Sequence, residues 1–175
     1  MSLSRTIAST MAPRNLPVSG QIVPSDIYFI RNILTRTYLE LPNPDDGSQV
    51  FSALGADKAT QWWKVIKEKN GTHSIVNFGS SSYARCSGTV KGSAVVCGQG
   101  AVSFLINEYT MGRYTIRLTA RDVDLYWGLP DSEHGKPVQL DPRRSEQANQ
   151  WSFTPVTNEQ AQWGEQGCHH GVANV

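Results

Sequence analysis

Few residues in this chain combine types and spacings that could do chemistry. Cys168-His169-His170 sets three metal-capable side chains in a row, but one short cluster supplies too few ligands for a closed site, and no metal or cofactor is expected. Cys86 and Cys97 complete an odd count of three cysteines without metal-ligand spacing. Both fall in strand-like stretches and read as buried free thiols; a bridge between them would need Cα atoms within about 7 Å. Asn70-Gly71-Thr72 is a glycosylation sequon, meaningful only in a secreted chain. Gly-x-Ser-x-Gly, His-Glu-x-x-His and phosphate-cradling glycine loops are all missing. Gly98-Gln99-Gly100 is too short for a nucleotide motif, and the carboxylates form no acid/base couple. No catalysis is expected. What remains is recognition chemistry, in which short polar side chains stand near aromatic ones.

The chain that must position these groups has 175 residues, enough for one domain with a core that needs no disulfides. Sixteen basic and 15 acidic residues leave a net charge of +1, which is no electrostatic footprint for nucleic acid or an anionic membrane. No apolar run approaches the roughly 18 residues of a membrane span. Residues 1–13 lack the apolar core of a secretory signal, so a cytoplasmic protein, or one released without a signal peptide, is expected. Residues 1–24 read as an irregular arm with a short strand at Gln21-Ile22-Val23, residues 25–156 as the folded domain, and residues 157–175 as a tail. Trp163 in that tail would pack back on the domain or bridge two protomers of a homodimer.

Within the domain the periodicity is that of strands. Tyr28, Ile30 and Asn32 alternate with Phe29 and Arg31. Leu39 and Leu41 alternate with Tyr38 and Glu40. After the turn-rich Pro42-Asn43-Pro44-Asp45-Asp46-Gly47 come short strands at Val50 and at Gln61-Trp62-Trp63-Lys64-Val65. This skeleton recurs twice at spacings of roughly 40–45 residues. His73, Ile75 and Asn77, then Tyr114, Ile116 and Leu118, repeat its opening; Ala84 with Cys86, and Leu125 with Trp127, repeat Leu39 with Leu41. Gly47, Gly92 and Gly135 precede Val50, Val95 and Val138, and the units close at Trp63, Leu105 and Trp151. Three units (25–70, 71–111 and 112–156) of four strands each leave an all-β β-trefoil or a propeller fragment. Propellers need at least four blades, so the expected fold is a β-trefoil with pseudo-threefold symmetry.

The chain thereby resembles the fungal ricin B-type β-trefoil lectins, whose units close on Gln-x-Trp. Gln61-Trp62-Trp63 fits that motif, Asn149-Gln150-Trp151 fits with Asn for Gln, and Ser103-Phe104-Leu105 departs from it. The resemblance spans roughly residues 25–156. It implies a carbohydrate-binding protein without enzymatic activity, with glycans as partners and no nucleic acid or membrane insertion. Trp63 and Trp151 read as core residues, and Gln61 as a residue tying down a turn.

In that family an Asp on the second strand, an aromatic residue on the third and an Asn or Gln before the closing motif hold the sugar. Carried over, the Asp position is Glu40 in the first unit, Arg85 in the second and Tyr126 in the third. The first site would be Glu40 with Asp45, Asp46 and Phe51. The third would be Tyr126 with Asp131, His134, Gln139, Asp141 and Asn149. Plainer roles stand beside these: Glu40 as a solvated strand residue, Asp45 and Asp46 as turn formers, Tyr126 as a cross-strand packing residue and His134 as an exposed turn residue. Two further readings stay open. One is a β-trefoil protease inhibitor acting through Pro42–Gly47 and Pro130–Gly135; the other is a scaffold for a protein partner.

Overall fold

Alternating inward residues and frequent turns fold the described part of the chain into twelve short strands, in three successive sets of four. The computed structural model describes residues 23–55 and 58–157. The Cys168-His169-His170 cluster, Trp163 and the Gln21-Ile22 part of the expected first strand lie outside them; Val23 is not in a strand. The first set is β1 (Asp26–Asn32), β2 (Tyr38–Glu40), β3 (Phe51–Ala53) and β4 (Trp62–Lys67). The second is β5 (His73–Asn77), β6 (Tyr83–Cys86), β7 (Val95–Gly98) and β8 (Leu105–Thr110). The third is β9 (Arg113–Ala120), β10 (Val123–Gly128), β11 (Gln139–Asp141) and β12 (Trp151–Pro155).

The outer strands of each set make a barrel. Antiparallel pairing runs β8–β9–β12–β1–β4–β5, and the ring closes between β5 and β8 where His73 and Phe104 exchange backbone hydrogen bonds of 2.7 and 2.8 Å. The inner strands pair as hairpins, β2–β3, β6–β7 and β10–β11, which cap one end. This is a β-trefoil, as the triplicated skeleton predicted.

At the pseudo-threefold axis the backbone forms a cycle. Val50 N–H donates to Val95 C=O (2.9 Å), Val95 to Val138 (2.8 Å) and Val138 back to Val50 (2.9 Å). A second cycle surrounds it: Gly47 donates to Cys97, Gly92 to Leu140 and Gly135 to Ser52. These glycines have φ of 83°, 85° and 74°, a left-handed turn that side chains resist. Their recurrence in sequence is thus a backbone requirement.

Beneath the cap, Trp63, Trp127 and Trp151 are wholly buried with Phe104, Ile30, Ile75 and Ile116. The indole N–H of Trp63 donates to Leu39 C=O (3.0 Å), and that of Trp151 to Trp127 C=O (2.9 Å). The Trp63 and Trp151 rings therefore bury their apolar surface with the polar atom satisfied. Gln61 ties down a turn as expected, its amide donating to Leu54 C=O at 3.3 Å.

Strand register corrects the internal alignment at two points. Trp63 pairs with Tyr28, and Trp151 with Tyr114, but the residue opposite His73 is Phe104. Phe104, not Leu105, closes the second unit; it is fully buried with its ring 4.9 Å from that of Trp127, whereas Leu105 is half-buried. In the third unit Trp127, not Leu125, matches Leu39 and Ala84, since Trp127 pairs with Leu140 and receives the Trp151 indole bond. The cause lies in the first turn. Asn32 Oδ1 accepts the N–H groups of Leu34 and Thr35, and Asn77 Oδ1 that of Ser80, which turns the chain at once. Leu118 offers no such acceptor, so β9 runs on to Ala120 and turns at Arg121-Asp122, both with positive φ.

His73 is buried, with Nε2 3.1 Å from Val23 C=O. Burial, aided by Lys67, depresses its pKa over the opposing carbonyl contacts of Val23 and Phe104 and the charge of Glu68. The unfolded chain therefore binds the imidazole proton first as pH falls below about 6.5, and stability drops there. The urea midpoint should fall between pH 7 and pH 5, and fall less in His73→Gln; equal falls would contradict this account. Truncation separates the closing positions: Phe104→Ala should cost about 3–5 kcal/mol and Leu105→Ala distinctly less by urea denaturation. The reverse order would overturn the assigned register.

Candidate functional site

Register fixes the three quasi-equivalent outward positions on the cap hairpins. Glu40 lies opposite Phe51, Arg85 opposite Val96, and Gly128 opposite Gln139. The loop between the second and third strands of each unit leaves its own unit. The loop around Gly47 is bonded to β7, that around Gly92 to β11, and that around Gly135 to β3. Each outward position is therefore bordered by a loop of the preceding unit.

At the first position Glu40 is held tightly. Its carboxylate accepts from Gln61 Nε2 (3.1 Å) and Thr60 Oγ1 (3.4 Å), lies 4.0 Å from Lys58 Nζ and is only 14 % exposed. Phe51, half-buried, is its cross-strand neighbour. Asp131 and His134 lie in the loop that borders this unit, exposed, with Lys136 Nζ bridging Asp131 (3.6 Å) and Glu133 (2.8 Å). The Glu133 and Asp131 carboxylates together raise the Lys136 pKa.

The aspartates expected beside Glu40 border the second unit instead. Asp45 forms an Asx turn with Asn43 (3.1 Å), and its C=O faces the Cys97 thiol at 2.9 Å. A Cβ on Gly98 would stand 2.6 Å from Asp46 Oδ1 and 3.1 Å from Arg85 Cδ, so Asp46 lies over β7 near Arg85. Arg85 donates to Gln99 C=O.

The third position opens into a groove of about 230 Å³ between units, bordered by Lys91 and Gly92 from one side and by Gly128, Pro130, Gln139 and Asp141 from the other. Asp141 is the fixed anion. It accepts Arg143 Nε (2.9 Å), Arg143 Nη2 (3.0 Å), Arg143 N–H (2.8 Å) and Asn149 Nδ2 (3.3 Å). Burial opposes its ionisation most, yet the Arg143 bonds and charge with the Asn149 amide outweigh it and hold the carboxyl below its usual range. Asn149 also donates to Arg143 C=O (2.6 Å) and presses on Gly128, where a Cβ would meet its Oδ1 at 1.6 Å. Glycine at 128 thus makes room for Asn149. Gln139 and Lys91, by contrast, make no side-chain hydrogen bond or ion pair among the described residues.

The structure so brings together Gln139, Asp141 and Asn149 and places Tyr126 outside their groove. Two residues before Gly128, Tyr126 lines a separate pocket with Arg117 and Asp124. Its hydroxyl pKa is raised by burial and then by Asp124. Lys91, Gly128 and Arg143 are the groove residues that the sequence reading missed. Aligning the third unit on Trp127 would have exposed Gly128. Lys91 carries no local signal, since it arrives from the preceding unit. Among the described residues no three His, Cys, Asp or Glu side chains gather as a metal site, and no helix is long and apolar enough to cross a membrane.

No protein-family model and no curated protein matches the chain. Solved structures do match in fold. The Rhizoctonia solani agglutinin superposes with a TM-score of 0.71 at 19% identity, over 80% of this chain and 99% of its own. A Macrolepiota procera ricin B-like lectin, solved with lactose, gives 0.67 at 19% identity over 78% and 99%. The designed threefold-symmetric protein ThreeFoil gives 0.68 at 16% identity over 74% and 99%. At these identities the likeness establishes the β-trefoil fold.

Gly128→Ala should displace Asn149 and cost about 1–3 kcal/mol, measured by urea denaturation. Added to Asn149→Ala, the same change should cost far less than it does alone. Equal costs in both backgrounds would mean that Asn149 does not occupy the space over Gly128.

Proposed function

We propose that this chain is a carbohydrate-binding β-trefoil, a lectin without catalytic activity, and that its principal glycan site is the groove between the second and third units. One observation carries the reading: a shallow polar groove in which Asp141 is fixed by Arg143 and Asn149 while Gln139 and Lys91 retain unused hydrogen-bonding capacity. Such a set suits a ligand that presents adjacent hydroxyls as donors and acceptors. The Macrolepiota lectin, of the same fold, was solved with lactose, which supports choosing a sugar. The groove lacks an aromatic wall; Leu129 and Pro130 supply its apolar surface. The Glu40 position is the weaker candidate, because its carboxylate is already committed to Gln61 and Thr60.

The protease-inhibitor reading has no comparable support. Both candidate loops are drawn against neighbouring strands, by the Gly47–Cys97 and Gly135–Ser52 backbone bonds. Inhibition of trypsin-like or papain-like enzymes without glycan binding would nevertheless reverse the order of the two readings.

A glycan array should show binding by the folded protein. Gln139→Ala should weaken it at least about tenfold, the scale of one lost hydrogen bond to a ligand, with the thermal midpoint unchanged. Glu40→Gln should have a smaller effect on binding. A silent array with folded protein would refute the proposal.

A further inference from the structure

The pseudo-symmetry of the barrel exposes a second pocket. In the first unit Phe29 stands outward on β1, one residue after Tyr28, and its ring packs against Tyr38 (6.0 Å) and Trp62 (6.2 Å). In the third unit Tyr114 takes the place of Tyr28, each pairing with a closing tryptophan. The residue after it is Thr115, and Tyr126 stands where Tyr38 does, each opposite an arginine on the preceding strand. Threonine cannot fill the volume of the Phe29 ring. A polar pocket of about 320 Å³ opens there, within the lower range of small-ligand sites, lined by Asn107, Thr115, Arg117, Asp124, Tyr126 and Arg144.

The charges around it are unequally satisfied. Arg117 is paired with Asp124, which also accepts from Thr119 Oγ1 at 2.8 Å. The Glu108 carboxylate, also at the rim, accepts Gly112 N–H at 2.9 Å. Arg144 has no carboxylate partner among the described residues; its guanidinium lies 5.3 Å from the centre of the Tyr109 ring, a stacking that pre-orients the fork without neutralising it. The pocket thus offers one available guanidinium, a fixed carboxylate, a phenol, an amide and a hydroxyl.

We propose that this outer-barrel pocket is a separate site for an acidic sugar, a ring bearing one carboxylate and several hydroxyls, such as a uronic acid residue. The carboxylate pairs with Arg144 and the hydroxyls meet Asp124, Tyr126 and Asn107. A guanidinium and a carboxylate match in planar, two-pronged geometry. The site rests on the lectin reading for its choice of a sugar, but none of its residues belongs to the cap groove.

Amide chemical shifts of the intact chain, titrated with methyl β-glucuronide and separately with methyl β-glucoside, test this. The glucuronide should perturb Asn107, Thr115, Tyr126 and Arg144 and bind at least tenfold more tightly there than the glucoside. Arg144→Gln should remove that preference, and Gln139→Ala should leave it intact. No change at these amides, equal affinities, or loss through Gln139→Ala alone would overturn the pocket assignment. Glucoside or array-sugar shifts confined to the Lys91–Gln139 groove would overturn it while leaving the cap-groove reading standing.

Discussion

The cycle of backbone hydrogen bonds joining Val50, Val95 and Val138 is the constraint on which the rest of the molecule depends. No unit can close it alone, because each valine donates to the next unit and accepts from the previous one. Each hairpin by itself is a two-stranded element, marginal in water. It gains a packed face only when the other two hairpins and the tryptophans beneath them are in place. Gly47, Gly92 and Gly135 admit the left-handed turn that brings each loop onto its neighbour, so the glycine repeat and the cycle are one feature seen in sequence and in space.

The same cycle decides where the cap grooves form. It carries each long loop out of its own unit and onto the third strand of the next. A cap groove is therefore a joint of two units. Lys91 and Gln139 face one space although they belong to different repeats, and Asp46 lies near Arg85 for the same reason. Symmetry then sets what can differ. Ile30, Ile75 and Ile116, like Trp63, Phe104 and Trp151, keep a large apolar residue in all three copies, whereas positions facing away from that shared core have diverged into Glu40, Arg85 and Gly128, and into Phe29, Ser74 and Thr115. The fold tolerates this because outward positions contribute little to the shared core.

Much of the fold was legible because it is written three times. Ile30, Ile75 and Ile116 with the three glycines announced the repeat, and Trp63 and Trp151 announced the core. The misreadings have physical origins. Leu118 replaces an asparagine whose side chain triggers the turn, which lengthens the hairpin and moves Trp127 into the place assigned to Leu125. Phe104 is an aromatic closing residue hidden by the expectation of tryptophan one position later. The site was legible only in part. Gln139, Asp141 and Asn149 emerged together because they are near in sequence and on one unit. The loop contributions did not, since the direction in which a loop crosses the threefold axis leaves no trace in local pattern. Tyr126 was drawn into the third site by the same two-residue slip.

The most direct test of the account is a crystal structure of the protein with the strongest sugar found on the array. The sugar should lie in the groove between units, with its hydroxyls hydrogen-bonded to Gln139 of the third and Lys91 of the second. A sugar bound wholly within one unit, with Gln139 and Lys91 both outside hydrogen-bonding reach, would contradict it.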